Sequence, residues 1–256
     1  MAETARYLYA VCRGLEPADL EGVSGLEGGR LELVHHEGLV AVVSDVDLAE
    51  YGEEGLRRNL EDLAWLEHAA RGHDTVVQAA AGAVPTAPLR LATICFDDHG
   101  VHERLREWYG DLVQVLDRID GRLELSVKIL ASPRPAAARP VVAASAPGAG
   151  VAYLRQKQSE SRARVDDEAV AADAAARAHD ELASLSVASR LLPAQDPRLT
   201  GHEGTMVLNG AYLVEKQDVA VFAARADRLA EELGAGLTVD CRGPWPPYSF
   251  AVLDQR

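Results

Sequence analysis

Apolar residues recur along the chain with two different periods, and these separate predicted strands from predicted helices. Residues 7–12 are apolar at both odd and even positions, which predicts a strand buried on both faces. Two further apolar runs, at 31–35 and 39–43, flank Glu37 and Gly38 and predict a β-hairpin. The chain is therefore expected to open with three strands.

Two long helices follow. From about Glu53 the apolar residues recur at steps of three and four, which predicts a long helix. Its apolar stripe is expected to consist of Leu56, Leu63, Leu66, Ala70, His73 and Val77. A second helix is predicted to begin at Asp97 or Asp98, either of which can accept hydrogen bonds from free amides, and to end at Gly121. Its stripe consists of Val101, Leu105, Trp108, Leu112, Val115 and Ile119.

Two more strands belong to this half of the chain. Pro85 and Pro88 end the first helix, and residues 89–96 then predict a strand. Residues 123–129 alternate between apolar and polar side chains, the pattern of a strand with one solvent-exposed face. Glu124 is expected on the exposed face.

Residues 132–150 interrupt this pattern. They contain four prolines and many alanines but no leucine or aromatic residue to bury, which predicts a semi-rigid linker. We therefore expect an N-terminal α+β domain over residues 1–131 and a second domain over 151–256.

The second domain is predicted to start with a long, alanine-rich and highly charged helix. Its later elements are strands at 185–191 and 205–214, a helix from Asp218 to Gly234 and a strand at 237–241. The order strand, strand, helix, strand suggests a ferredoxin-like arrangement. The fold class is thus α+β, with two short antiparallel sheets, long helices, and each sheet covered by helices on one side.

Charge and cysteine content exclude several classes of function. The formal net charge of −14 opposes binding to nucleic acid or to an anionic membrane surface. Cys12, Cys95 and Cys241 are odd in number and widely spaced, which favours a reducing cytoplasm over a disulfide framework or a zinc site. The N-terminus lacks the pattern of a signal peptide, and the longest uncharged stretches are too short to span a membrane.

The sequence contains none of the usual motifs for phosphate loops, zinc proteases or nucleophile elbows, so we predict neither an enzyme nor a bound cofactor. The best metal candidates are Asp97, Asp98, His99, His102 and Glu103. A capped and solvated first helical turn explains the same residues without an ion, and is the favoured interpretation. A small-ligand or metal-binding module of unknown activity remains the alternative function.

The most unusual stretch is GPWPPYSF at residues 243–250, where three prolines fix the backbone around Trp245 and Tyr248. Rigid aromatic side chains suit recognition of a partner protein. Alternatively, Trp245 and Phe250 fold back over the sheet as its closing edge. Trp65, on the helix face opposite the predicted stripe, similarly allows packing against another domain or against a partner.

Five segments of the chain resemble the gas vesicle protein L/F family (GvpL/GvpF). GPWPPYSF is similar to the C-terminal signature of that family, and AYLVEKQDVAVF at 211–222 to the preceding strand and helix. RYLYAV at 6–11 resembles the opening strand, and WLEHAARGHDTVV at 65–77 resembles a helix with a His-acid pair. PLRLATICF at 88–96 resembles a further motif, but carries Leu91-Ala92 where the family has Phe-Gly.

The resemblance implies a non-enzymatic accessory protein of gas vesicle formation with two modified ferredoxin-like domains. It implies binding to the small hydrophobic shell protein of the GvpA type, and possible contact with other accessory proteins, in the cytoplasm or at the gas vesicle. The residues predicted to bind a partner are Trp245, Pro246, Pro247, Tyr248, Phe250, Trp65 and Arg90.

Overall fold

The computed structural model describes residues 3–132, 149–195, 204–234 and 236–251, except the side chains of 149–156, 160 and 164. Packing divides the chain into two units, Met1–Glu124 with Pro244–Arg256, and Leu125–Gly243. Each unit is built on one four-stranded sheet.

The sheet of the first unit consists of β1 (Thr4–Cys12), β2 (Glu32–His36), β3 (Leu39–Asp47) and β4 (Thr86–Cys95), in the order β2-β3-β1-β4. All of its pairings are antiparallel. The predicted hairpin between β2 and β3 is confirmed. Glu37 and Gly38 at its tip have φ of 47° and 83°, the left-handed conformation that a tight hairpin turn with the twist of the strands requires.

The predicted helix after Glu53 is divided into shorter helices. Helices α1 (Leu48–Tyr51) and α2 (Glu53–Asn59) are followed by α3 (Leu63–Ala83), whose first amides are capped by Asp62. Because the helix restarts at Leu63, its buried face is shifted from the predicted one. His73 and Val77 are buried as expected, whereas Leu63 is 76% exposed and Ala70 is also exposed.

The second predicted helix is confirmed as α4 (Asp98–Ile119), capped by Asp97, and all six residues of its predicted stripe are buried. Helices α3 and α4 cover different faces of the same sheet. Tyr7 and Tyr9 of β1 pack with Val76 and Val77 of α3, whereas Leu8, which points the other way by strand alternation, is also fully buried. The expectation of helices on one side is therefore wrong for this unit, since β1 is buried on both faces.

The second unit contains β5 (Arg122–Ala131), α5 (Ala149–Ser184), β6 (Ala188–Leu191), β7 (Thr205–Glu215), α6 (Val219–Leu233) and β8 (Leu237–Trp245). Its sheet order is β6-β7-β5-β8. With β5 as its first strand, this unit has the element order and strand order of a ferredoxin-like fold. The first sheet has an equivalent strand order, but short 3-10 turns replace the first crossover helix, which makes it a modified version.

This division of the chain differs from the predicted boundary. Strand β5 hydrogen-bonds between β7 and β8, so it belongs with the second sheet, although it precedes the proline-rich segment. The segment after Gly243 packs with the first unit, although it ends the chain. Residues 133–148 of the predicted linker lie outside the described residues, and their role as a linker stays a prediction.

The core of the second unit lies between its sheet and one layer of helices. Leu125, Val127 and Ile129 of β5 pack there as their alternation predicted. Leu237, Val239 and Cys241 of β8 contact the same cluster, so the predicted face of that strand is confirmed.

Candidate functional site

Four of the five segments that resemble the L/F family meet in the first unit, around Tyr7 of β1. This tyrosine is fully buried, and its ring centroid lies 5.8 Å from that of Tyr51 and 5.7 Å from that of His73. Its hydroxyl oxygen accepts a hydrogen bond from the Ala92 amide at 3.0 Å and lies 2.9 Å from Nδ1 of His73. Burial raises the pKa of the Tyr7 phenol far above its ordinary value, so Tyr7 keeps its proton.

His73, on α3, is 3% exposed, which agrees with its interpretation as a core histidine. Burial lowers its pKa to about 4, while Asp74 and the Leu89 backbone act in the opposite direction. The imidazole is therefore neutral at neutral pH, and Nδ1 accepts the hydrogen bond that the Tyr7 hydroxyl donates. Nε2 then carries the ring proton and makes no hydrogen bond of normal geometry with the described residues.

Ala92 lies in a bulge of β4. The pairing with β1 runs from Leu8 with Thr93 directly to Ala10 with Pro88, so the intervening residues of β4 are displaced from the ladder. Within this bulge Ala92 has a φ of 61°, in the left-handed region where a residue with a Cβ is disfavoured. Glycine adopts this conformation without strain, which fits the Phe-Gly that the resemblance implies at positions 91 and 92.

The segment at 243–250 is anchored to the first unit by its side chains. The Tyr248 hydroxyl donates a hydrogen bond to Asp74 at 3.1 Å, and its ring lies 6.5 Å from that of His73. The amide and hydroxyl of Ser249 donate to the Glu124 carboxylate at 2.8 and 2.7 Å. The expectation that Glu124 faces solvent is wrong, because it is 7% exposed and accepts these two bonds.

The predicted partner-binding residues have different environments. Pro246, Pro247 and Phe250 are buried, and Tyr248 is half-buried in the hydrogen-bonded network. Trp245 is 41% exposed, and Arg90 is exposed on β4. In this conformation Trp245 and Arg90 are accessible from solvent, whereas the three buried residues support the segment from inside.

Trp65 does not lie opposite the apolar face of its helix. Its ring packs 5.3 Å from that of Tyr51 and contributes to the core cluster that contains Val76. Within the described part of the chain neither its Nε1 nor the Tyr51 hydroxyl has a hydrogen-bond partner. The shifted phase of α3 accounts for this difference from the sequence-based expectation.

Four of the five candidate metal ligands near the start of α4 make other interactions. Asp97 caps the helix by accepting from the Gly100 amide, and Asp98 pairs with Arg6 at 2.8 Å. His99 lies 3.5 Å from Glu103 of the next turn. In residues 3–132 and the other described segments, no three His, Cys, Asp or Glu side chains are placed to hold one metal ion.

Burial suppresses the ionisation of the three cysteine thiols. Burial raises the pKa of Cys12 to about 12 and that of Cys241 to about 11, and it also raises that of Cys95. All three thiols are therefore protonated at neutral pH, a state in which they are poor nucleophiles. None of the described helices is both long and apolar enough to cross a membrane.

The structure thus defines a two-unit α+β protein of modified ferredoxin-like fold whose shared motifs meet in a buried hydrogen-bonded network. The family model "Gas vesicle synthesis protein GvpL/GvpF" matches residues 5–252, and the chain belongs to this family. It is 39% identical to gas vesicle protein L of Streptomyces sp. (strain CB03234), over 98% of this chain and 94% of that protein. It is 28% identical to gas vesicle protein F of Haloferax mediterranei, over 96% of this chain and 93% of that protein.

Solved structures confirm the fold. The crystal structure of the gas vesicle protein GvpF from Anabaena sp. PCC7120 matches with a TM-score of 0.68 at 18% identity, and covers 98% of each chain. The family resemblance read from the sequence and the α+β fold class are therefore confirmed, and the protein has a role related to gas vesicles.

Proposed function

We propose that the protein binds the small hydrophobic shell protein of gas vesicles, of the GvpA type, and supports vesicle assembly without catalysing a reaction. Family membership supports the gas vesicle context. The binding role is supported by one observation in particular. Four of the five motifs that resemble the family contribute residues to the buried network that anchors the segment carrying Trp245.

This anchoring is suited to recognition because it fixes an exposed aromatic side chain before a partner arrives. Trp245 is the last residue of β8, and the buried Pro246 and Pro247 follow it directly. A side chain held on a rigid backbone loses little conformational entropy on binding. Tryptophan and arginine are also the residues most enriched at the energetic centres of protein interfaces, which favours Trp245 and Arg90 as contacts.

The chemistry of the buried network supports a structural rather than a catalytic role. His73 is neutral and its Nδ1 lone pair is already engaged by Tyr7. Tyr7 and Tyr248 retain their protons because burial raises the pKa of both phenols. Each of these groups therefore holds the segment in place and is unsuited to proton transfer at neutral pH.

The net charge of −14 fits an assembly factor for an aggregation-prone subunit in the cytoplasm or at the vesicle. A hydrophobic shell subunit exposes apolar surface before it is incorporated. An acidic partner that covers this surface keeps the complex apart from other complexes by charge repulsion.

A co-expression pull-down tests the proposal. The tagged protein is expressed with a GvpA-type shell protein as wild type, as Trp245→Ala and as Leu63→Ala, the last being a control with an exposed apolar side chain outside the shared motifs. We expect Trp245→Ala to retain less shell protein while its circular dichroism is unchanged, and the control to bind like the wild type.

A third variant, Tyr248→Phe, separates anchoring from contact because it keeps the ring and removes the hydrogen bond to Asp74. We expect partial loss of binding, since Trp245 is then less well ordered. A folded wild type that retains no shell protein, or a Trp245→Ala variant that binds normally, contradicts the proposed surface.

A further inference from the structure

Two histidines from different elements of the first unit lie side by side. His36 is the last residue of β2, and His102 lies in the second turn of α4. Their ring centroids are 6.1 Å apart, and the two ring planes are inclined by 63°. The rings are therefore close neighbours that do not stack face to face.

The pattern of β2 places the His36 ring beside α4. His36 shares one face of the strand with the buried Val34, whereas Leu33, on the other face, packs into the core that α3 covers. Helix α4 packs against β2, and the contact between the rings of His36 and His102 shows that it covers the Val34 face. Both histidines thus point into the same junction between strand and helix.

Other contacts fix the backbone on both sides of this junction. Tyr109, two helical turns after His102, lies on the same side of α4, with its ring 6.3 Å from that of His36. Its hydroxyl donates a hydrogen bond to the backbone oxygen of Glu37 at 3.3 Å, which ties α4 to the tip of the β-hairpin. His36 itself pairs with Leu39 in the ladder between β2 and β3. The two imidazoles are therefore carried by a preorganised framework.

The ring nitrogens of both histidines are available to a ligand. Both side chains are half-buried, so they remain accessible to solvent. Within the described part of the chain, no hydrogen bond or ion pair engages a ring nitrogen of His36 or His102. Nδ1 of His73 and of His179, by contrast, bonds to a tyrosine hydroxyl. A neutral imidazole has one nitrogen lone pair, so the junction offers two lone pairs without a protein donor.

Two imidazoles at this spacing suit a late first-row metal ion. Imidazole nitrogen is a preferred ligand of Zn²⁺, Cu²⁺ and Ni²⁺, whereas Mg²⁺ and Ca²⁺ prefer oxygen. In a tetrahedral site with Zn–N bonds of about 2.0 Å, the centroids of two imidazole ligands lie about 5 Å apart. The observed separation is 6.1 Å, so the rings need to approach by about 1 Å, which a small rotation of two half-buried side chains supplies.

We propose that His36 and His102 together bind one Zn²⁺ or a similar late first-row divalent ion, with water in the remaining coordination positions. The ion links the tip of the β-hairpin to α4. Because the protein supplies two ligands instead of the three or four of established zinc sites, the Kd is expected to be of micromolar order. This inference does not depend on binding of the shell protein.

Isothermal titration of the full-length protein with Zn²⁺ tests the site. His36→Ala and His102→Ala are each expected to weaken binding by at least about tenfold. Two matched controls are expected to bind like the wild type. His35→Ala removes an exposed imidazole from the opposite face of the same strand, and His99→Ala removes the imidazole of α4 that lies against Glu103. An excess of Mg²⁺ is expected to leave Zn²⁺ binding unchanged.

Electron paramagnetic resonance with Cu²⁺ as the probe gives a second measurement, because the nitrogen hyperfine pattern counts the imidazole ligands. Two are expected in the wild type and one in each single variant, whose fold is verified by circular dichroism. The proposal is overturned if the wild type binds no Zn²⁺ at millimolar concentration, or if His36→Ala binds like the wild type. It is also overturned if either control loses as much affinity as His36→Ala, since binding is then not specific to this pair.

Discussion

Protonation of His73 is expected to destabilise the first unit at mildly acidic pH. Its pKa is about 4 in the folded protein against an ordinary value of 6.5, because burial disfavours the charged ring. The unfolded chain therefore binds the proton more tightly than the native one. Stability is complete above pH 6.5, falls as the pH is lowered, and reaches its full loss near pH 4. At about 1.4 kcal/mol per pKa unit, the loss amounts to about 3 kcal/mol.

The variant His73→Asn isolates this contribution, since asparagine has no proton to gain and places a polar atom near the position of Nδ1. Its free energy of unfolding is expected to fall by about 3 kcal/mol less than that of the wild type between pH 7 and pH 4. Chemical denaturation followed by tryptophan fluorescence provides the measurement. Trp65 and Trp108 lie within the first unit and Trp245 lies where β8 enters it, so the signal reports mainly on that unit.

The control is His68→Asn, which removes an exposed histidine from the same helix. This variant is expected to lose as much stability as the wild type over this range. The carboxylates are common to all three proteins, so their contribution cancels in the comparison. If wild type and His73→Asn lose stability in parallel over this range, the histidine is not buried in the neutral form and the reasoning fails.

Three further predictions concern the bulge, the anchor and the thiols. Ala92→Gly is expected to raise the free energy of unfolding by about 0.5–1 kcal/mol in urea denaturation, since relief of the left-handed strain exceeds the added entropy of the unfolded chain; a lower midpoint would contradict this. Ser249→Ala leaves the buried Glu124 short of a hydrogen bond and is expected to cost about 1–3 kcal/mol in the same assay, whereas an unchanged midpoint would refute the anchor. Cys12 and Cys95, both buried, are expected to react slowly with a thiol reagent at pH 8 until denaturant is added, and rapid reaction of more than one thiol in the native protein would show that they are not buried.

Hydrophobic periodicity and turn residues correctly predicted those elements whose conformation and buried face depend mainly on their own residues. All six stripe residues of α4 are buried, and the hairpin turn at Glu37 and Gly38 has the conformation its residues favour. The alternation in β5 likewise identified Leu125, Val127 and Ile129 as core residues. Short motifs with proline and aromatic residues were sufficient to identify the family, because such motifs can be recognised from residue identity without knowledge of the structure.

Features that depend on partners distant in sequence were not accessible in this way. The alternation in β5 placed Glu124 in solvent, but Ser249, more than a hundred residues later, covers it and donates two hydrogen bonds. The phase of α3 was misjudged because the Asp62 cap restarts the helix, which turns Trp65 toward Tyr51.

The sequence by itself determined the fold class, the family and most of the helices and strands, because hydrophobic periodicity and residue identity act locally. Only the tertiary structure decided that β5 completes the second sheet and that the C-terminal segment returns to the first unit. It also brought Tyr7, His73, Ala92 and Tyr248 into one network. Strand order and buried hydrogen bonds are set by competition among all segments of the chain. The residue pattern within one segment therefore does not predict them.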